Sequence, residues 1–555
     1  MKESKENLIL FLSFCTTILL HLPLTVFPVF RDQGVWGTAG MAINSGRIFF
    51  KDYLHFNLPG LGFSYALAFK FTDSIQNATM LLSLIGSLLT IFGMYFLLKV
   101  TINKNAAVWS VLIFSIIWPT HVNYWHIAQK DFMATYGLLI STGLAAYAFT
   151  AKWRKTCVFL SGLMVGISAM YKPVFAFTYF LLVLAFIFKK VFPISEISTK
   201  KRNDWLELLK DLALLTAGAG TIAVLFLLYL YFGNAIQGFY NGVFIFAPEY
   251  AKIARLSLFE QLSYLFLHSL MLGLPIDKFA IVSSFLWLII IVNGLTAFVR
   301  KDFIKEKLLL SVPFLSSLFT YLIQGKGFSY HAIPWKICLI MLAGSGLSHI
   351  WNKVENPVRT KPLAKILTIF LILVFCRSCF ASHYAQAEVP AWLNRIDRTT
   401  YLKECFSWFK HDSGYPGDLE IENLSNWLKA KTSPDDKILV WGLECQLYAL
   451  SRRMYATHSP FDIILTADLS GNPKAMQWQK SIRTQFVGQL KAERPKFIIV
   501  VTNDLNPVEF TTSNEAISLI PEFREILDNF YNLELKLKNF EVYRFDSIET
   551  RQKDE

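Results

Sequence analysis

Charge is scarce in this sequence. Only 17% of its 555 residues are Asp, Glu, Lys or Arg, against about 25% in soluble domains. Hydrophobic residues make up 54%, aromatics 15%, and the mean hydropathy is +0.39. Such a composition excludes an ordinary soluble globular chain and implies a polytopic membrane protein. Cysteine is sparse as well: seven residues without metal-binding spacing. Cys376 and Cys379 form a C-x-x-C inside an apolar run, where helix packing outweighs redox chemistry. Cys405 and Cys445 can pair only if their domain lies outside the cytoplasm. No repeat of 20 to 50 residues and no low-complexity stretch is present. A cleavage site is lacking too, so Lys2 and Lys5 before about 20 apolar residues read as an uncleaved first helix. The formal charge of +13 comes in short Lys and Arg clusters between apolar runs, which orient membrane helices and argue against nucleic acid as a partner.

A membrane span needs about 20 apolar residues, or fewer inside a bundle. On that basis the sequence predicts eleven: Leu8 to Phe30, Ala78 to Leu98, Ala106 to Val122, Phe132 to Thr150, Thr156 to Tyr171, Val174 to Phe188, Asp211 to Phe232, Phe279 to Val299, Leu308 to Ile323, Ala332 to Ile350 and Ile366 to Ser382. Basic clusters fall on alternate connections, from Lys2 and Lys5 to Lys353 and Lys365, and the positive-inside rule puts these in the cytoplasm. The connections 31–77, 123–131, 172, 233–278 and 324–331 then face outward, as does everything after Ser382. Ser257 to Leu274 would reverse this order as a twelfth span, so it is expected to lie in the outer interface. The expected organisation is a mainly α, polytopic helical bundle over 1–382 and a soluble extracytoplasmic α/β domain over 383–555. In that domain Lys437 to Trp441 and Lys496 to Val501 read as buried strands, Leu533 to Phe545 as one or two more, and Glu444 to Ser451 as a helix.

Candidate chemistry gathers on the outer side. The first outer loop is far longer than the usual helix connection and carries Asp32, Arg47, Lys51, Asp52, His55 and Asn57 before Pro59-Gly60. A carboxylate at a membrane rim is either a solvated flank or a reacting group, since burying it in hydrocarbon is costly. The second loop holds His121, His126 and Asp131. The histidines are five apart, off the spacing that sets two metal ligands on one helix face. No cofactor is therefore expected, and a divalent metal lacks a supporting donor set. The third feature, Gln324-Gly325-Lys326-Gly327-Phe328-Ser329-Tyr330-His331, sets two glycines around a lysine. It is either a tight turn with a snorkelling Lys or an oxyanion cradle. Lys172-Pro173 adds another outward cation.

Together these motifs resemble the GT-C superfamily of polytopic glycosyltransferases, particularly the bacterial relatives of protein O-mannosyltransferases and of the lipid A aminoarabinose transferase. Arg31-Asp32-Gln33-Gly34 resembles the acidic motif after the family's first helix. Gly46, Lys51-Asp52-Tyr53 and Asn57-Leu58-Pro59-Gly60 follow in the family's order, and Asp131, Lys172-Pro173 and the turn from Gly325 to His331 match later elements. Gln33 replaces the usual second acid, and Asn57 a lysine common in the lipid A branch. The resemblance implies a sugar donor on polyprenyl phosphate, a lipid, glycan or protein acceptor, and residence in a bacterial inner membrane. It implies catalytic roles for Asp32 and Asp131, with Arg47, Asp52, His55, Asn57, Lys172, Lys326, Tyr330 and His331 binding substrate. Two other readings are a transporter or flippase for lipid-linked sugars and a non-catalytic glycolipid-binding scaffold.

Overall fold

The computed structural model describes residues 2–149, 152–191, 204–270, 304–354, 382–405, 417–504, 511–546. The spans expected over 279–299 and 366–382 lie outside these residues, except for Ser382. Two compact units emerge. One comprises Met1–Val26, Met80–Phe226 and Leu256–Arg395, the other Phe27–Thr79, Leu227–Arg255 and Ile396–Glu555. The stretch 31–77 thus groups with the residues after Arg395.

The first unit is helical because its apolar runs must satisfy their backbone groups internally wherever lipid replaces water. It contains α1 (Lys2–His21), most of α4 (Ile75–Thr101), α5 (Lys104–His121), α6 (Lys130–Ala148), α7 (Arg154–Tyr171), α8 (Phe177–Val191), most of α9 (Asp204–Phe232) and the helices Leu258–Leu270, Ile304–Gln324 and Ile333–Val354. Among the described residues, three helical stretches are long and apolar enough to cross a membrane: Asn7–Val26, Ile75–Thr101 and Trp205–Phe232. Only 11% of the last one's apolar window is buried. Where α7 and α9 meet, glycine is required: a Cβ on Gly162 would stand 2.0 Å from the Leu215 carbonyl oxygen, and one on Gly218 2.0 Å from that of Phe159. Small residues at such crossings let backbones approach. Hydroxyls stitch neighbouring helices, Ser168 donating to the Ala134 carbonyl at 2.9 Å and Ser161 to that of Ser141 at 2.7 Å.

The first helix is shorter than its apolar run. α1 ends at His21 and gives way to a 3₁₀ turn, Leu22–Val26. Pro23 and Pro28 explain the break, since proline removes a helical donor and restricts the residue before it. Asp32 therefore lies not two residues beyond a span but in the first turn of a separate helix, α2 (Arg31–Asn44).

The second unit is an α/β layer onto which α2 and α3 (Gly60–Ala68) fold. Its five strands are β1 (Lys437–Trp441), β2 (Met454–Tyr455), β3 (Phe497–Val501), β4 (Tyr531–Lys536) and β5 (Phe540–Phe545), in the order β2-β1-β3-β5-β4. β1 pairs parallel with β2 and β3, while β5 pairs antiparallel with β3 and β4. β3 is buried along its whole length, as a strand covered on both faces should be. The helices Asp418–Lys431, Gln446–Ser451, Pro473–Glu493 and Pro521–Phe530 belong to the same unit.

Candidate functional site

In the second unit, α2 is preceded by its N-cap Phe30, whose backbone N–H donates to the Gln33 side-chain oxygen at 2.9 Å. Gln33 is thereby a buried helix cap, a role for the residue that stands in place of a second acid. Asp32 is half-buried beside it. Its carboxylate feels Tyr65 of α3 and Glu444 of the tail. Arg31 points into the tail, its Nη2 lying 2.8 Å from Glu444 Oε1. Gly34 is pressed against the same segment, where an added Cβ would meet the Gln446 backbone nitrogen at 2.2 Å.

Several other first-loop candidates commit hydrogen bonds to holding the loop. Arg47 donates to the Tyr455 carbonyl at 3.3 Å and lies over that ring at 4.4 Å. Asp52 accepts the Ile48 N–H at 2.8 Å, closing a turn in which Phe50 takes a positive φ of 71°. His55 Nδ1 accepts the N–H groups of Phe56 and Asn57, both at 2.9 Å, so its proton sits on Nε2. The ring also packs on Trp36 at 4.7 Å. Asn57 is half-buried next to it.

The first unit gathers the remaining candidates. Asp131, in the first turn of α6, is fully buried: its Oδ2 receives Lys172 Nζ at 2.7 Å and its Oδ1 receives Gln324 Nε2 at 3.2 Å. Lys172 also donates to Gln324 Oε1. Gly325 and Gly327 both adopt φ of +67°, a conformation that glycine takes without penalty. The Gly325 carbonyl accepts from Leu256 N–H at 2.8 Å, and the Gly327 carbonyl lies 3.1 Å from His268 Nε2. The Lys326 turn is thus pinned at both glycines. Tyr330 meets His331 edge-on at 4.6 Å. Burial first, then Lys172, Lys130 and Lys326, push the His331 imidazole well below its usual range and keep it neutral. Three ammonium groups thus act on one buried ring.

The metal-like trio of the second outer loop is dispersed by its partners. His121 Nδ1 lies 2.8 Å from the Thr120 hydroxyl, His126 Nε2 lies 2.7 Å from the Ser329 hydroxyl, and Asp131 pairs with Lys172. Among the described residues, no group of three or more His, Cys, Asp or Glu is placed to hold a metal. Cys445 is a free, buried thiol near the Pro460 carbonyl, not a partner of Cys405. Sequence reasoning missed Gln324, Lys130, Ser329 and Glu444. Gln324 was legible as the residue before the glycine turn, whereas nothing in the sequence ties Glu444 to Arg31.

This is the fold of the GT-C membrane glycosyltransferases. ArnT from Cupriavidus metallidurans bound to undecaprenyl phosphate superposes with a TM-score of 0.58 at 12% identity, over 96% of this chain and 97% of that one. Its apo form gives the same TM-score at 11% identity over 96% of each chain. An oligosaccharyltransferase from Archaeoglobus fulgidus tethered with an acceptor peptide matches with a TM-score of 0.51 at 12% identity, over 99% of this chain and 75% of that one. No family model matches the sequence. No curated protein matches it either.

Proposed function

We propose that this protein is an integral membrane glycosyltransferase. It takes a sugar from a polyprenyl-phosphate donor and passes it to a hydroxyl of a lipid, glycan or protein acceptor at the outer face of a bacterial cytoplasmic membrane. The observation that carries this reading is the correspondence along nearly the whole chain with a protein solved on undecaprenyl phosphate. In the reaction the acceptor oxygen attacks the anomeric carbon, and its proton passes to Asp32. The bond from that carbon to the phosphate oxygen breaks, the electron pair leaves with the phosphate, and configuration inverts. Within the first unit, Lys326 and Lys172, with Lys130 and neutral His331, supply positive charge of the kind that suits a phosphate. Asp131 has both oxygens engaged, so its role is to hold Lys172 rather than to touch substrate. The bilayer keeps the polyprenyl tail, and the tail domain stands outside the membrane.

Transfer from a radiolabelled undecaprenyl-phosphate sugar panel to extracted envelope acceptors by the purified protein tests this. Asp32→Asn is expected to lose about 10² to 10⁴ in rate. Near-normal turnover of that variant removes the general base. Donor translocation without any transfer would instead favour a carrier.

A further inference from the structure

The parallel part of the sheet has the order β2-β1-β3. From β1 the chain crosses to β2 on one side, then returns to β3 on the other. In open α/β sheets that reversal leaves a crevice beyond the carboxyl ends of the two central strands, the usual place for a ligand. Here Glu444 follows β1 and Asp504 follows β3, at those ends. The occupant is the chain's own helix. Arg31 stands 2.8 Å from Glu444, in the field of Asp504, and Gly34 abuts the Gln446 backbone. Thr38, one turn further along α2, donates to the Cys445 carbonyl at 3.1 Å. The contacts run along consecutive turns of one helix, so they fix its axis as well as its position.

We propose that the tail domain is a clamp that positions the catalytic base, with Glu444, Arg31 and Gly34 as positioning residues for Asp32. This rests on the glycosyltransferase reading. It gives the α/β domain a share in catalysis without a site of its own: its strand-end crevice is filled from within. Asp32 acts on Tyr65 of α3 and on Glu444 of the tail, and Arg31 on Glu444 and Asp504. Neutralising either member of the Arg31–Glu444 pair removes the ion pair that ties the first turn of α2 to the tail.

The test uses the protein in lipid nanodiscs with an undecaprenyl-phosphate sugar, measuring kcat and KM alongside backbone hydrogen exchange over 31–44. Gly34→Ala should raise exchange in α2 and lower kcat on the order of 10²-fold, as misplacement of a reacting group does, with donor KM little changed. Glu444→Gln and Arg31→Gln should give the same signature, more exchange over 31–44 and a lower kcat at little-changed donor KM, a split that loss of folding does not produce. Should Arg31→Gln not accumulate, Glu444→Gln alone decides, unchanged exchange over 31–44 overturning the proposal. Unchanged exchange in Gly34→Ala overturns it as well. If Asp32→Asn is itself active, the glycosyltransferase mechanism fails and the catalytic half of this proposal with it, while the exchange data still report on the clamp.

Discussion

Asp131 and Glu444 are both fully buried carboxylates that face a cation, one in each unit, and they are served very differently. Asp131 has a donor on each oxygen, Lys172 at 2.7 Å and Gln324 at 3.2 Å. Glu444 has Arg31 Nη2 at 2.8 Å from one oxygen without the alignment of a hydrogen bond, and the amide of Gln446 on the other. Burial pushes the Glu444 carboxyl up, and Arg31 only partly opposes it. A buried charge is tolerated when its remaining lone pairs are filled and becomes a strained asset when they are not. The helical unit holds a finished ion pair. The tail holds one whose charge acts outward, on α2.

The sharpest way to break this contrast is to remove Lys172. Lys172→Ala strands the Asp131 charge and should cost about 3 to 5 kcal/mol, read as the loss of cooperative melting temperature in detergent. Glu444→Gln should cost less, about 1 to 3 kcal/mol, because it also abolishes a burial penalty. Equal losses would dissolve the distinction between the two pairs.

A third buried acidic group sharpens the comparison through pH. The Ser513 hydroxyl lies 2.6 Å from Asp462 Oδ2 and 2.5 Å from Asp504 Oδ2. One hydroxyl proton cannot serve both, so one carboxyl must carry a proton. Asp504 also accepts the Ser513 N–H at 2.8 Å, which favours its anion and leaves Asp462 as the acid. Burial, then Asp504, push Asp462 up to about 7. Between about 4 and about 7 the folded protein holds a proton that the unfolded chain has released, so stability falls as pH rises through that window. Asp462→Asn, which mimics the protonated acid, should stabilise the protein at pH 8 by about 1 to 3 kcal/mol and by much less at pH 5. Paired thermal melts at the two values check it. At the small end, the half-exposed Arg524–Asp528 pair should be worth about 0.3 to 0.5 kcal/mol in an Arg524→Ala melt and vanish in high salt.

Local signals were readable where local physics decides. Lys437 to Trp441 and the run ending at Val501 became strands because they are short, apolar and bounded by turn residues. The glycines at 325 and 327 announced a turn that only positive φ could make. The end of the first helix was misplaced because hydropathy continued through Pro23 and Pro28 while helical geometry did not. The unread part is tertiary. Arg47, Asp52 and His55 looked like ligand-binding groups by type, yet their bonds go to Tyr455, Ile48 and the turn after His55. Polar composition signals that a group needs partners, not which partners fold brings.

The hydrogen bond from Thr38 to Cys445 joins residues 407 positions apart. On a ribosome, that separation is time. The helix bearing Asp32 emerges first and its seat 407 positions later, so long-range closure must wait for it. A chain cut short of Cys445 would already own every residue of α2 and still lack the segment that holds it.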